Sequence, residues 1–196
     1  MTDDLNDRPF WDDWLESHLF DKRVVLLRGP LDAPAATRVA SQLMALDGSG
    51  DAAVQLQLDS PGGPLEAAFA VADVIEVLGV PVEVLCMGRV EATAVLVAAV
   101  SHRRSAFPHC RFRLGDPSVE IAGPAGQLEA QLAFVEAALG NYHARLASTT
   151  GHELAEIEKD CSSGAFLDAS GAVAYGIVDK IVPPRLAQLR SLPPAR

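Results

Sequence analysis

The chain runs to 196 residues, a length for one domain rather than two, and such a domain buries about 70% of its unfolded surface without a metal or disulfide staple. Hydrophobic residues make up 49% and charged residues 21%, which excludes a wholly disordered chain. The formal net charge of −10, from 26 acidic and 16 basic side chains, opposes a phosphate-binding surface and argues against nucleic acid as a partner.

Residues 1–10 are polar and acidic and lack the basic start and apolar run of a signal peptide. Residues 1–13 therefore read as a polar N-terminal segment, 14–182 as the domain, and 183–196, with four prolines, as a peripheral tail. The pattern in between alternates strand and helix. Residues 24–27 are a short β-branched and leucine run. Val54, Leu56 and Leu58 alternate with Gln55 and Gln57, the period-two signature of a half-buried strand. Residues 82–87 and 111–114 predict two more strands. Residues 34–46 predict a helix with Pro34 in its first turn and Val39, Leu43 and Met44 near one face. Residues 65–78 predict a second, with Glu66, Asp73 and Glu76 on one side and Phe69, Ala72 and Ile75 inward.

Strand starts near 24, 54, 82 and 111 imply repeated βα units wound in one sense. Residues 127–148 then predict a long helix, weakened only at Gly140 and stopped at Thr149-Thr150-Gly151. Its length allows it to project and pack on a neighbour. Helices over 152–159 and 169–175 and a strand over 177–182 complete the domain. The most apolar stretch, 92–100, is far too short to span a bilayer, so no membrane is expected. Cys86, Cys110 and Cys161 are odd in number and widely spaced, unlike a disulfide framework or a zinc set. They fit a reducing compartment, and a soluble cytoplasmic protein with no metal and no cofactor is the expectation.

Three motifs carry a family resemblance. The first is Leu58-Asp59-Ser60-Pro61-Gly62-Gly63, a strand ending in a glycine turn that opens a helix. The second is Cys86-Met87-Gly88, ending a strand before the helix of 92–100. The third is Phe166-Leu167 followed by Ala172-Val173-Ala174-Tyr175-Gly176-Ile177-Val178-Asp179. Together, in this order, they resemble the proteolytic subunit of the Clp protease, within the crotonase-like fold group, over about residues 14–182. The resemblance implies an α/β spiral of repeated β-α units with a protruding handle helix. It also implies an ATP-dependent serine endopeptidase using serine, histidine and aspartate, with backbone N–H groups of the glycine turn holding the oxyanion.

The residues at the matching positions are Ala92, Gly115 and Gly164, so all three catalytic side chains are absent. A shift of one brings Thr93 to the nucleophile position, but no histidine follows near residue 115. His109 lies at the other end of that strand, His102 belongs to a turn, and His143 and His152 fall on or beside later helices. Gly62, Gly63 and Thr93 remain as an oxyanion-like turn, better read as structural without a nucleophile. Cys86 and Met87 read as core, and Cys161 as an unreactive thiol. Glu91 and Asp116 each adjoin a lost catalytic position. They read as a helix-start charge and a turn residue; the alternative is a crotonase-like enzyme using both carboxylates in the emptied pocket, for proton transfer or a cation.

In the family, two heptameric rings stack through the handle, helped by an ion pair whose positions here are Ser162 and Ser163. Residues 118–126, matching the handle strand, contain Gly123, Pro124 and Gly126, and proline removes a ladder donor. The expectation is a homo-oligomer, a single heptamer-type ring, with an active Clp protease paralogue as the alternative partner. The segment before Trp14 is shorter than the family's axial-loop region, which weakens docking of a Clp unfoldase ATPase. The sequence thus reads as a non-catalytic member with a structural or regulatory role.

Overall fold

The computed structural model describes residues 8–117, 119 and 124–183. Four parallel strands, β1 (Val24–Arg28), β2 (Val54–Ser60), β3 (Val82–Glu91) and β4 (Arg103–Ala106), lie side by side in that order, and β7 (Lys180–Ile181) adds to the β4 edge in parallel. The predicted alternation in β2 is realised: Val54, Leu56, Leu58 and Ser60 are buried while the glutamines between them are half-buried. Parallel neighbours need crossovers, and these are the helices α2 (Ala33–Asp47), α3 (Leu65–Val77) and α4 (Ala94–Ala99). Asp32 caps α2 by accepting the Ala35 N–H at 2.8 Å, with Pro34 in the first turn as its fixed φ favours.

β3 is the pivot of the sheet. Its first half pairs with β4 through Glu83–Cys86, and its second half, Arg89–Glu91, pairs instead with β5 (Arg111–Arg113). Strand β5 also pairs antiparallel with the two-residue β6 (Phe166–Leu167). The Cys86-Met87-Gly88 motif therefore does not end the strand. It marks the fork at which the strand changes partners.

Helix α5 (Ala125–Thr150) is longer than the predicted span and ends at Gly151 in the left-handed region, φ +81°. Its first half is largely exposed, with Leu132 and Phe134 at 48% and 68%, whereas Tyr142 and Leu146 toward its end are buried. The helix thus stands out from the body by about its first half. Helices α6 (Leu154–Ser163) and α7 (Ala169–Ala174) follow. The sheet, the crossover helices and the ends of α5 and α6 share one core, with Leu56, Leu58, Ile75, Leu96, Phe112 and Tyr142 among its fully buried side chains.

Several expectations need correction. Helix α1 (Arg8–Phe20) and strands β4 and β6 had no counterpart among the expected elements. Met44 is 58% exposed, because its position on α2 lies beyond the strip defined by Val39, Leu43 and Leu46. Met87 is only half-buried. The last strand is confined to Lys180–Ile181, with Ile177 and Val178 buried in the turn before it. Most of the predicted handle strand and of the proline-rich tail lies outside the described residues.

Arg104 on β4 ties the last elements of the fold to the middle of the chain. Its guanidinium donates to the carbonyls of Gly176 at 2.7 Å and Ala99 at 3.4 Å, and to Asp179 Oδ1 through Nε at 3.0 Å. Its backbone N–H donates to Asp179 Oδ2 at 2.8 Å. Burial alone would raise the Asp179 carboxyl, but the bonds and charge from Arg104 outweigh it and hold it below the usual carboxylate range. Asp179 closes the third sequence motif, and this clamp is its structural purpose.

The glycine turn after β2 is where space is tightest. A Cβ at Gly63 would lie 2.0 Å from the Leu31 carbonyl oxygen, and Gly62 has φ +84° with a would-be Cβ 2.7 Å from the Glu91 carbonyl oxygen. By contrast, nothing lies within 4 Å of a Cβ at Gly140, in mid-helix. Gly63→Ala is expected to destabilise the protein by about 3 kcal/mol through a backbone collision. Gly140→Ala is expected to stabilise it by about 0.5–1 kcal/mol. Urea denaturation of the two variants should show shifts of opposite sign.

Candidate functional site

The sheet's C-terminal edge presents two turns that meet: β2 to α3 at Gly62-Gly63, and β3 to α4 at Ala92-Thr93. Ala92 sits at φ +48°, a left-handed conformation that costs a non-glycine residue roughly 1–2 kcal/mol. It is held there from both sides. Its N–H donates to the Arg113 carbonyl at 2.8 Å, and its carbonyl accepts the Tyr142 hydroxyl at 3.1 Å. The chain therefore keeps a sharp elbow between strand and helix with only a methyl group at its tip.

The positions assigned by resemblance to the nucleophile, base and orienting carboxylate lie together. A Cβ at Gly115 would be 3.9 Å from the Ala92 methyl and 3.1 Å from Arg113 Nη1. A Cβ at Gly164, which caps α6 at φ +68°, would be 3.8 Å from the same nitrogen. Arg113 thus occupies the space between the two glycines. Its guanidinium faces Glu91 at 3.5 Å, and Arg111 approaches the other Glu91 oxygen at 3.5 Å. The Glu91 side chain is only 11% exposed, so the cations compensate a carboxylate that would otherwise be buried alone.

The oxyanion-like turn is closed by its own side chains. Gly63 N–H donates to Thr93 Oγ1 at 2.9 Å, and the Thr93 hydroxyl donates back to the Gly63 carbonyl at 3.0 Å. Gly62 N–H donates to Ser60 Oγ at 3.1 Å. The three residues singled out in the sequence do come together, but as a satisfied hydrogen-bonded unit. A developing oxyanion would have to displace the threonine.

Glu91 and Asp116 are not brought into one carboxylate pair. Asp116 Oδ1 instead meets His143 Nε2 at 2.8 Å. His143 is 6% exposed and projects from α5 beside Tyr142, whose hydroxyl also approaches the Gly115 carbonyl at 3.3 Å. Cys161 of α6 completes the group, with Asp116, His143 and Cys161 ligand atoms within 4.8 Å of one another. Burial, and then the nearby Asp116 carboxylate, push the Cys161 thiol up to about 12. It is a neutral, covered thiol and not a nucleophile, and burial likewise pushes the Tyr142 phenol upward.

His143 and Arg113 are the residues that sequence reasoning missed. The signal for His143 was present in the spacing of Leu139, Tyr142 and Leu146, which defines the inward face of α5 and puts residue 143 on its edge. Arg113 carried no such signal, since alternation in a three-residue strand says little about where a long cation reaches.

The mixed α/β sheet with its glycine turn, elbow and long α5 is consistent with the fold of the Clp protease family. Comparison with known proteins agrees. The family model described as Clp protease matches residues 10–185. The chain is 32% identical over 169 residues to the ATP-dependent Clp protease proteolytic subunit 3 of Rhizobium johnstonii, covering 85% of this chain and 87% of that one. It is 31% identical over 171 residues to the proteolytic subunit 2 of Chlamydia trachomatis, covering 85% and 83%. The corresponding subunit 2 of Gluconobacter oxydans is 29% identical over 172 residues, covering 86% and 77%. The chain belongs to the Clp protease family.

The Arg113–Glu91 contact gives a direct test of how the pocket is filled. Arg113→Met should cost about 1–2 kcal/mol, because it leaves a nearly buried carboxylate with only the longer-reaching Arg111. Adding Glu91→Gln should recover at least half of that loss. Denaturant midpoints of the two single variants and the double variant close the cycle.

Proposed function

We propose that the chain is a catalytically inactive Clp protease-like subunit with a structural or regulatory role in a ring assembly. The observation that carries this reading is the Arg113 guanidinium standing between Gly115 and Gly164, opposite the Ala92 methyl. The chemistry of a serine peptidase needs a hydroxyl, a base to take its proton and a carboxylate to orient that base. Here an arginine takes the place of both partners, and the Thr93 hydroxyl engages the Gly63 donor. The elbow and the glycine turn persist because the packing of α3 and α4 on the sheet requires them.

Clp protease family members form oligomeric rings. In this proposal the chain forms a heptamer-type ring of its own copies, or shares one with an active paralogue, in the cytoplasm. The exposed Leu128, Leu132 and Phe134 on the projecting half of α5 support self-association. The Ser162 and Ser163 hydroxyls each donate to a carbonyl of their own helix, Lys159 and Asp160, which supports a single ring over a stacked pair. Among the described residues no helix is long and apolar enough to cross a membrane.

The purified protein should show no fluorogenic-peptide hydrolysis and no labelling by a serine-directed fluorophosphonate, since loss of a triad costs on the order of a million-fold in kcat. The triple restoration Ala92→Ser, Gly115→His, Gly164→Asp should leave it inactive. The new histidine meets Arg113 and the new aspartate must adopt φ +68°. Specific labelling of the unaltered chain at any serine would overturn the inactive reading.

Assembly is tested separately. Native mass measurement at micromolar concentration should return a multiple of the chain mass, for the protein alone or with an active Clp proteolytic subunit. A single-chain mass under both conditions would end the ring reading.

A further inference from the structure

The Asp116, His143 and Cys161 group lies behind the arginine-filled pocket and has no part in the proposed role. Its members come from three separate segments: the turn after β5, the packed end of α5, and α6. Their sequence spacing matches no metal motif, and only folding brings their ligand atoms within 4.8 Å of one another.

We propose that Asp116 Oδ1, His143 Nε2 and Cys161 Sγ form a binding site for a divalent metal ion of the zinc type. The donor set is the argument. A thiolate, an imidazole and a carboxylate are the three ligand classes zinc takes in proteins, with three protein ligands leaving a fourth position for water. Zinc bonds of about 2.0–2.3 Å in a tetrahedron separate the ligand atoms by roughly 3.3–3.8 Å. The His143–Asp116 contact of 2.8 Å must therefore open by about half an ångström. Asp116 can give way, because its side chain is 33% exposed while that of His143 is only 8% exposed. The same exposure provides the route by which an ion reaches the otherwise covered group.

Charge and surroundings agree with this donor set. On binding, the metal–sulfur bond forms as the Cys161 thiol releases its proton to solvent, so that thiolate and carboxylate together neutralise the dication. That leaves a site without net charge beside the buried Tyr142, whose ring centroid lies 5.5 Å from that of His143. The Tyr142 hydroxyl donates to the Gly115 carbonyl at 3.3 Å, which ties the backbone beside Asp116 to the helix that carries His143. The ion would clip the base of the projecting helix to α6 and to the turn after β5.

The test uses the full chain, stripped with a chelator, dialysed and titrated with cobalt(II) as the probe. Expected are a near-ultraviolet thiolate-to-cobalt charge-transfer band that saturates at about one ion per chain, and displacement of the cobalt by zinc. Zinc at about a hundredfold its dissociation constant should raise the melting temperature by roughly 5–10 °C. Cys161→Ser should abolish the band while Cys86→Ser keeps it. Asp116→Asn, at the accessible edge where folding is least disturbed, should weaken cobalt binding at least tenfold. No charge-transfer band, a band that survives Cys161→Ser, or unchanged affinity in Asp116→Asn would each overturn the proposal, leaving a hydrogen-bonded His–Asp clamp.

Discussion

The architecture rests on two backbone turns that touch. Gly63 lies against the carbonyl of Leu31, and Gly62 lies against the backbone of Glu91 and Thr93. This contact has no room for a single methyl group, and it fixes the heights of β1, β2 and β3 relative to one another at their C-terminal ends. The start of α3, the elbow at Ala92 and the start of α4 all follow from it. Such a contact is structural before it is chemical. Removing it would unseat two helices.

The space between Ala92, Gly115 and Gly164 is filled in a physically economical way. Close packing disfavours a void beside small residues, and a long neighbouring side chain can fill it without moving backbone. Arg113 already sits on β5, two residues before Gly115. Its cation then needs a counter-charge, which Glu91, adjoining Ala92, supplies. The Glu91 and Asp116 carboxylates are thus drawn apart, Glu91 toward the arginines and Asp116 toward His143. Two like charges with separate partners avoid the cost of sharing one pocket.

The periodic part of this fold was legible in the sequence. β2 shows strict alternation, α2 and α3 show a helical strip with capping signals, and Gly151 stops α5 as its sequence requires. Elements without an apolar pattern were not legible. β4 reads Arg-Arg-Ser-Ala, with only Ala106 buried, and holds its place by pairing and by the Arg104 bonds rather than by hydrophobic side chains. β6 is two residues long and exists because β5 needs an antiparallel neighbour. Ala92, Gly115 and Gly164 were marked by their motifs, whereas the contacts of Arg113, His143 and the Thr93 hydroxyl arise only in the folded chain. Each is a long-range polar contact between segments that periodicity treats as independent.

Arg104 bears on the order in which the chain can be completed. Its carbonyl partner Gly176 and its carboxylate partner Asp179 lie 72 and 75 residues further along the chain. During synthesis β4 leaves the ribosome long before the segment that will satisfy its guanidinium. Until then the sheet ends at an arginine facing water, which keeps an unfinished edge charged and poorly suited to pairing with another chain. Arrival of Gly176 and Asp179 converts that protective charge into a latch, so the same side chain guards the nascent edge and later seals it.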